Sequence, residues 1–149
     1  MPRLNSNQAE SKFSIEITPL KILWLLRSPP PDGVNASVVH KIAELYKTIY
    51  LNSKKLNKGD KLGIRAKTEQ ICSNCLRLSI EAALLCKDEK MPIVKKLKNQ
   101  IELLKQFARL EMELKIIDEK VYISWQTSLQ EISKMANGWL IYLQKRNLI

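Results

Sequence analysis

The amino-acid sequence predicts an all-α fold: an up-down-up-down four-helix bundle that follows an N-terminal extension of uncertain structure. Four segments repeat apolar residues at helical spacing, no segment alternates apolar and polar residues as a strand does, and the 149 residues include only four glycines. The length fits one domain. We therefore expect residues 1–34 to form the extension and residues 35–149 to form the bundle, in which short connections make consecutive helices antiparallel neighbours.

Prolines set the extension apart from the rest of the chain. Three consecutive prolines, residues 29–31, precede an Asp-Gly pair, and such a run excludes a helix and favours an extended segment or a turn. The mostly apolar residues 19–26 have three interpretations. In the first, they form one or two helical turns that dock on the bundle or on a partner. In the second, they form a disordered tail. In the third, translation of the protein starts near residue 34, and these residues do not belong to it.

The first two predicted helices meet at a basic turn. Helix one is expected over residues 37–56 and helix two over residues 61–86. Gly59 is a typical helix stop and Asp60 a typical N-cap residue. Apolar and small side chains cover an unusually wide arc of helix two, which suggests burial on more than one side. The arc is formed by Ile64, Ile71, Cys72, Cys75, Leu76, Leu78, Ile80, Ala82, Ala83 and Leu85.

The last two helices follow with short connections. Helix three is expected over residues 92–116, because Pro92 is favoured in a first helical turn. Asp118 is the expected N-cap of helix four. Gly138 lies inside that helix next to Trp139, and a glycine there costs about 1 kcal/mol relative to alanine. We interpret it as a point of close packing against another backbone or a large ring; the alternative is a neutral glycine on the surface.

The three cysteines are interpreted as packing residues. Cys72 and Cys75 form a Cys-x-x-Cys motif within helix two, and only Cys86 and the single histidine, His40, could complete a zinc site of four ligands. A thioredoxin-like motif would open a helix after a strand instead. Buried free thiols explain the pattern better, and their small, odd number indicates a reducing compartment.

The sequence shows no catalytic constellation. No arginine lies four to seven residues before His40, which excludes the usual Arg-His motif of helical-bundle ribonucleases, and the Glu-x-x-His pairs of di-iron bundles are absent. We therefore expect no enzymatic activity and no metal or cofactor. The acids near the third connection are expected to form a solvated patch with nearby lysines; these are Glu111, Glu113, Asp118 and Glu119, with Lys115 and Lys120.

The localisation expected from the sequence is cytoplasmic, without a membrane partner. The uninterrupted apolar runs are short, and none is longer than residues 22–26, whereas a helix needs about 20 apolar residues to span a bilayer. No secretory signal is visible.

Positive charge is the main functional signal. The formal net charge is +10 and the sequence pI is about 9.6, and residues 35–149 carry 21 Lys or Arg against 12 Asp or Glu. Lysine-rich and arginine-rich surfaces bind nucleic acid because phosphate contacts release counterions. Residues 41–77 alone hold nine basic residues against three acidic ones.

Three segments carry a resemblance to a known family. Residues 56–65 (LNKGDKLGIR) open helix two, residues 101–109 (IELLKQFAR) lie in helix three, and residues 132–140 (ISKMANGWL) lie in helix four. Their order and spacing resemble the accessory variability determinant (Avd) of diversity-generating retroelements, a four-helix-bundle family related to the proteins encoded in ribosomal RNA intervening sequences. The resemblance covers about residues 38–146.

The resemblance implies a non-enzymatic accessory subunit. Members of this family form pentameric rings, bind nucleic acid through basic surfaces and associate with the retroelement reverse transcriptase during mutagenic copying of a template RNA. It therefore implies three partners here: the reverse transcriptase, template RNA or other nucleic acid, and further copies of the chain. The basic residues taken as the candidate contacts to nucleic acid or protein are Lys54, Lys55, Lys58, Lys61, Arg65, Lys105 and Arg109.

A second hypothesis comes from a different class. The chain is then a bundle of the ribosomal intervening-sequence type, a structural or interaction protein without a polymerase partner. A neighbouring reverse-transcriptase gene with template and variable repeats would favour the first hypothesis. Residues 1–34 do not align with the family.

Overall fold

A computed structural model describes residues 34–147, with side chains for residues 37–145. The predicted N-terminal extension therefore lies outside the described residues, apart from its last position. Every regular element of the described part is a helix, which confirms the all-α prediction. The helices are α1 (Val34–Ser53), the short α2 (Lys58–Leu62), α3 (Ile64–Leu84), α4 (Lys87–Glu113) and α5 (Glu119–Asn147).

The four long helices form a closed bundle. Each packs against the next along the chain, and α5 returns to pack against α1. Short connections make these neighbours antiparallel, so the predicted up-down-up-down arrangement is confirmed. The core is apolar and includes two tryptophans; its most deeply buried large side chains include Ile42, Ile49, Leu97, Ile101, Leu104, Trp125, Leu129, Ile132 and Trp139.

The connection between α1 and α3 differs from the prediction. Helix α1 ends at Ser53, and Gly59 lies inside α2 instead of ending a helix. The N-cap of α2 is Asn57, not Asp60: the Asn57 side-chain oxygen accepts a hydrogen bond from the Asp60 backbone N–H at 2.8 Å. Asparagine and aspartate are both favoured N-caps, so residue type alone does not distinguish Asn57 from the predicted Asp60.

Gly63 separates α2 from α3 and requires a glycine. Its backbone N–H donates to the Gly59 carbonyl oxygen at 2.9 Å, and a Cβ at position 63 would lie 2.9 Å from that same oxygen. A backbone oxygen cannot move aside as the end of a side chain can. The backbone bends at Gly63, so the predicted helix over residues 61–86 is interrupted there: residues 61–62 end α2, and α3 begins at Ile64.

Helix α4 begins and ends earlier than predicted. It starts at Lys87, five residues before Pro92, and stops at Glu113. The stop is a Schellman motif: Ile116 N–H donates to the Glu111 carbonyl at 2.8 Å, and Lys115 N–H donates to the Met112 carbonyl at 3.0 Å. Lys115 occupies the left-handed position with φ 60°, where glycine is the usual residue, so its type gave no stop signal.

Helix α5 confirms one expectation and contradicts another. Asp118 caps the helix, since its side-chain oxygen accepts a hydrogen bond from the Val121 N–H at 2.8 Å. Gly138, by contrast, is exposed, and a Cβ there would meet nothing within 4 Å. The predicted close packing at Gly138 is wrong, and this glycine is a surface residue of the helix.

Candidate nucleic-acid interface

A buried ion pair links α3 to α4 near the basic end of the bundle. Arg65 Nη2 lies 2.7 Å from Glu111 Oε1, and Arg65 Nε donates a hydrogen bond to the same oxygen at 2.9 Å. Both side chains have no exposed surface. Unpaired buried charges are costly, so the two residues require each other.

The same guanidinium also holds α1 and contacts α5. Arg65 Nη1 donates to the Ile49 carbonyl at 3.3 Å and to Ser53 Oγ at 3.1 Å, and Nη2 donates to Asn52 Oδ1 at 3.0 Å. Its Cζ lies 5.1 Å from the centre of the Trp125 ring, within cation–π range. We call Arg65, Glu111, Ser53, Asn52 and Trp125 the hub, because they join all four long helices.

The hub overturns two predictions. Arg65 cannot contact a phosphate or a partner protein, because its guanidinium is enclosed and fully engaged; its assignment to the binding surface is wrong. Glu111 is likewise not part of a solvated acidic patch. A sequence signal existed: Arg65 lies seven residues before Cys72, and Glu111 seven after Leu104, so each charge falls on the apolar stripe of its helix.

Four of the predicted contact residues lie together at one end of the bundle. Lys54, Lys55, Lys58 and Lys61 are all exposed, and they follow α1 or belong to α2. The Lys54 ammonium lies 5.8 Å from the centre of the Tyr50 ring. None of the four forms a salt bridge with a described residue, so their charges are available to an external anion. We call these four residues the basic turn.

The other predicted pair lies on a different seam. Lys105 and Arg109 share one flank of α4. At Lys105 the helix lies close to α5, because the Lys105 backbone carbonyl accepts a hydrogen bond from Gln126 Nε2 at 3.2 Å. Only 14% of the Lys105 side chain is exposed, against 62% for Arg109. Each already has an acidic partner on its own helix: Glu102 lies 2.8 Å from Lys105, and Glu113 lies 3.0 Å from Arg109. Lys105 and Arg109 therefore offer a partner less unpaired positive charge than two free basic side chains would.

An open groove lies between the end of α1 and the start of α5. Its volume is about 390 Å³, within the usual range for ligand sites. The groove brings a residue of the basic turn, Lys55, to the same site as Lys120, which the sequence predicts to pair with nearby acids. The full lining is Thr48, Leu51, Asn52, Lys55, Lys120, Val121, Ser124 and Trp125.

The thiols divide into two classes. Cys72 and Cys75 are buried, as predicted, whereas Cys86 is exposed at the start of α4. Burial raises the pKa of both core thiols, and that of Cys75 reaches about 12. A nearby Cys75 also raises the pKa of Cys72. Protonated buried thiols are poor nucleophiles and poor metal ligands, so the packing interpretation fits these two cysteines but not Cys86.

Residues 34–147 lack two further kinds of site. That part of the chain contains no cluster of three or more His, Cys, Asp or Glu side chains arranged to hold a metal ion. None of its helices combines the length and apolar character required to cross a bilayer.

Comparisons with known proteins returned no match. No protein-family model, no curated protein and no solved structure is significantly similar to this chain. The resemblance to the Avd family therefore depends on the three sequence segments described above, and it stays a prediction.

Proposed function

We propose that this protein is a non-enzymatic, nucleic-acid-binding accessory subunit of a diversity-generating retroelement. In this role it binds template RNA or its cDNA copy, and associates with the reverse transcriptase. The proposal combines the sequence resemblance with a bundle whose described residues carry a large excess of positive charge. Phosphate contacts from lysines orient nucleic acid but do not read its sequence, which suits a subunit that must accept a variable copy.

The observation that supports nucleic-acid binding best is the basic turn. Lys54, Lys55, Lys58 and Lys61 are exposed within eight residues of sequence, and no described acid neutralises them through a salt bridge. Lysine contacts of this kind release counterions from a phosphate backbone. Arg65 is excluded from this surface by its burial, and Lys105 and Arg109 are secondary because their charges are already paired.

Binding to single-stranded RNA at several salt concentrations tests the proposal. The logarithm of affinity should fall with the logarithm of salt concentration by about 0.7 for each phosphate neutralised. The variant Lys54→Glu, Lys58→Glu, Lys61→Glu should bind at least about tenfold more weakly. The matched control, Lys95→Glu, Lys134→Glu, Lys145→Glu, changes three other exposed lysines by the same charge. Salt-independent affinity, or equal losses in both variants, would contradict the proposed surface.

The polymerase partner requires its own test. We expect a reverse-transcriptase gene beside the gene for this protein. Co-expression of that polymerase should allow it to be purified with this protein, and the variant Lys105→Gln, Arg109→Gln should reduce its recovery. Mutagenic copying should then depend on both proteins. Absence of a polymerase partner, combined with intact RNA binding, favours the second candidate function: an interaction protein of the ribosomal intervening-sequence type.

A further inference from the structure

We propose that the groove between α1 and α5 binds one unpaired nucleotide of a single-stranded RNA, with its base between the two helices and its flanking phosphates on Lys55 and Lys120. This inference depends on the proposed nucleic-acid binding and gives it a specific site. It also predicts a preference that a lysine surface alone does not supply: single strands bind better than duplexes.

The shape of the groove fits a base. Leu51 and Val121 lie on opposite helices and line it with aliphatic surface, and Leu51 is 58% exposed. An exposed leucine beside an open groove is a typical apolar surface for a flat ring. Bases in a duplex are stacked and paired, so only an unpaired base can enter such a site.

The charges at the groove fit a nucleotide better than a neutral ligand. Lys55 comes from the segment after α1 and Lys120 from the first turn of α5, and both line the same groove. Both are exposed, and neither forms a salt bridge with a described residue. Two cations beside an apolar site complement the phosphates on either side of a base. A neutral ligand would leave these charges unused, and an acidic peptide would have no need of a flat apolar site.

The hub gives the groove an oriented hydrogen-bond donor. Asn52 lines the groove, and its Oδ1 accepts a hydrogen bond from Arg65 Nη2 at 3.0 Å. Because the oxygen of this amide is held by a buried guanidinium, the Nδ2 group is its remaining polar end, and no described residue accepts a hydrogen bond from it. The carbonyl oxygens of uracil, cytosine and guanine are acceptors of the required kind. Arg65 is thus a positioning residue for the groove, not a contact residue.

Photo-crosslinking to the wild-type protein tests the site directly. The probe is a single-stranded oligouridylate that carries 4-thiouracil, and the crosslinked peptides are identified by mass spectrometry. We expect crosslinks within residues 48–55 and 120–125. Efficient crosslinks confined to other segments would overturn the groove assignment while leaving RNA binding intact.

Two variants test the base site and the phosphate contacts separately. Ser124→Leu places an aliphatic side chain in the groove from an exposed helical position and should weaken binding of the single strand about tenfold while leaving duplex binding unchanged. The matched control is Gln130→Leu, which is exposed on the same helix outside the groove. Lys55→Gln with Lys120→Gln should lower the salt slope by about 1.4, the value for two phosphates of a single strand. Lys134→Gln with Lys145→Gln is its control.

The outcomes separate the two proposals. If the wild-type protein fails to bind RNA at low salt, the proposed function is wrong and the groove assignment is overturned with it. If it binds RNA but prefers duplexes, or if the groove variants match their controls, only the groove assignment is wrong. Circular dichroism of each variant shows whether the bundle is retained, and the crosslinking result decides independently of any variant.

Discussion

Two glycines of this chain have opposite structural requirements. At position 63 a Cβ would lie 2.9 Å from the backbone oxygen of Gly59, whereas at position 138 it would meet nothing within 4 Å. Gly63→Ala should therefore destabilise the protein by about 1–3 kcal/mol. Gly138→Ala should increase the free energy of unfolding by about 1 kcal/mol, because alanine is the better helix former. Urea unfolding of both variants measures the two values, and effects of the same sign would contradict the placement of one glycine.

The thiols give a second prediction for single residues. At about pH 8 a thiol reagent should modify Cys86 rapidly, and Cys72 and Cys75 only as fast as the protein unfolds. The Cys86→Ser variant should abolish the fast phase.

Because burial raises the pKa of Cys75 from 9.0 to about 12, the neutral thiol is favoured in the folded state. The stability contributed by this burial is therefore complete below pH 9.0 and decreases as the pH rises from 9.0 to about 12. Rapid modification of all three thiols in native protein would contradict the burial.

At the scale of the helices, the hub is expected to dominate stability. Arg65→Met leaves Glu111 buried without a counterion, and Glu111→Leu does the same to Arg65; each should cost about 3–5 kcal/mol. The double variant removes both charges, so its free energy of unfolding should fall by much less than the sum of the losses in the two single variants. A double-mutant cycle from chemical unfolding measures this coupling. Additive losses would mean that the two side chains do not act as a pair.

The helices show how much could be predicted from the sequence. Apolar spacing placed all four long helices, and Asp118 identified one start, because these signals are local. The predicted ends of the helices were less accurate. Lys115 ends α4 in a left-handed conformation that glycine usually adopts, and Gly63, where a Cβ would clash with the backbone oxygen of Gly59, interrupts the second predicted helix. The hub was missed for a different reason. A charge on an apolar stripe is recognisable, but only the packing of α3 on α4 shows that Arg65 and Glu111 meet.

The candidate site was predicted in part. The basic turn is exposed because it lies at the connection between helices, where lysines are easily solvated. The groove could not be foreseen, because Lys55 and Lys120 are separated by more than sixty residues of sequence and meet only when α5 returns to α1. A list of basic residues therefore predicts the sign of a ligand's charge, but it does not show where an apolar surface lies beside those residues.

At the scale of the whole molecule, we expect the chain to assemble into a ring of five copies. The number five is what the resemblance to the Avd family implies, and the wide apolar arc of helix two suggests contact with further copies. Part of that arc is covered within the chain, where Ile80 packs with Val39. A different surface supports assembly better. Leu103 and Leu110 on α4 and Leu114 at its C-cap are exposed at 40%, 41% and 61%, and their spacing of seven and four residues places them on one face.

Light scattering tests the assembly and this surface together. The wild-type protein should have five times the chain mass of 17.2 kDa, in a cyclic arrangement. Leu110→Glu with Leu114→Glu places charges on the α4 face and should produce monomers that retain their helicity, because both side chains lie outside the core. Ile123→Glu, at an exposed apolar residue of α5, is the control and should leave the mass unchanged.

A ring would repeat each basic turn and each groove around one axis, so a single RNA strand could occupy several grooves at once. The monomeric variant should therefore keep its affinity for a short oligonucleotide and lose affinity for a long one, because linked sites raise the effective concentration of each further contact. Equal losses for both lengths would show that the α4 face itself binds RNA, and a wild-type monomer would remove the basis for the length dependence.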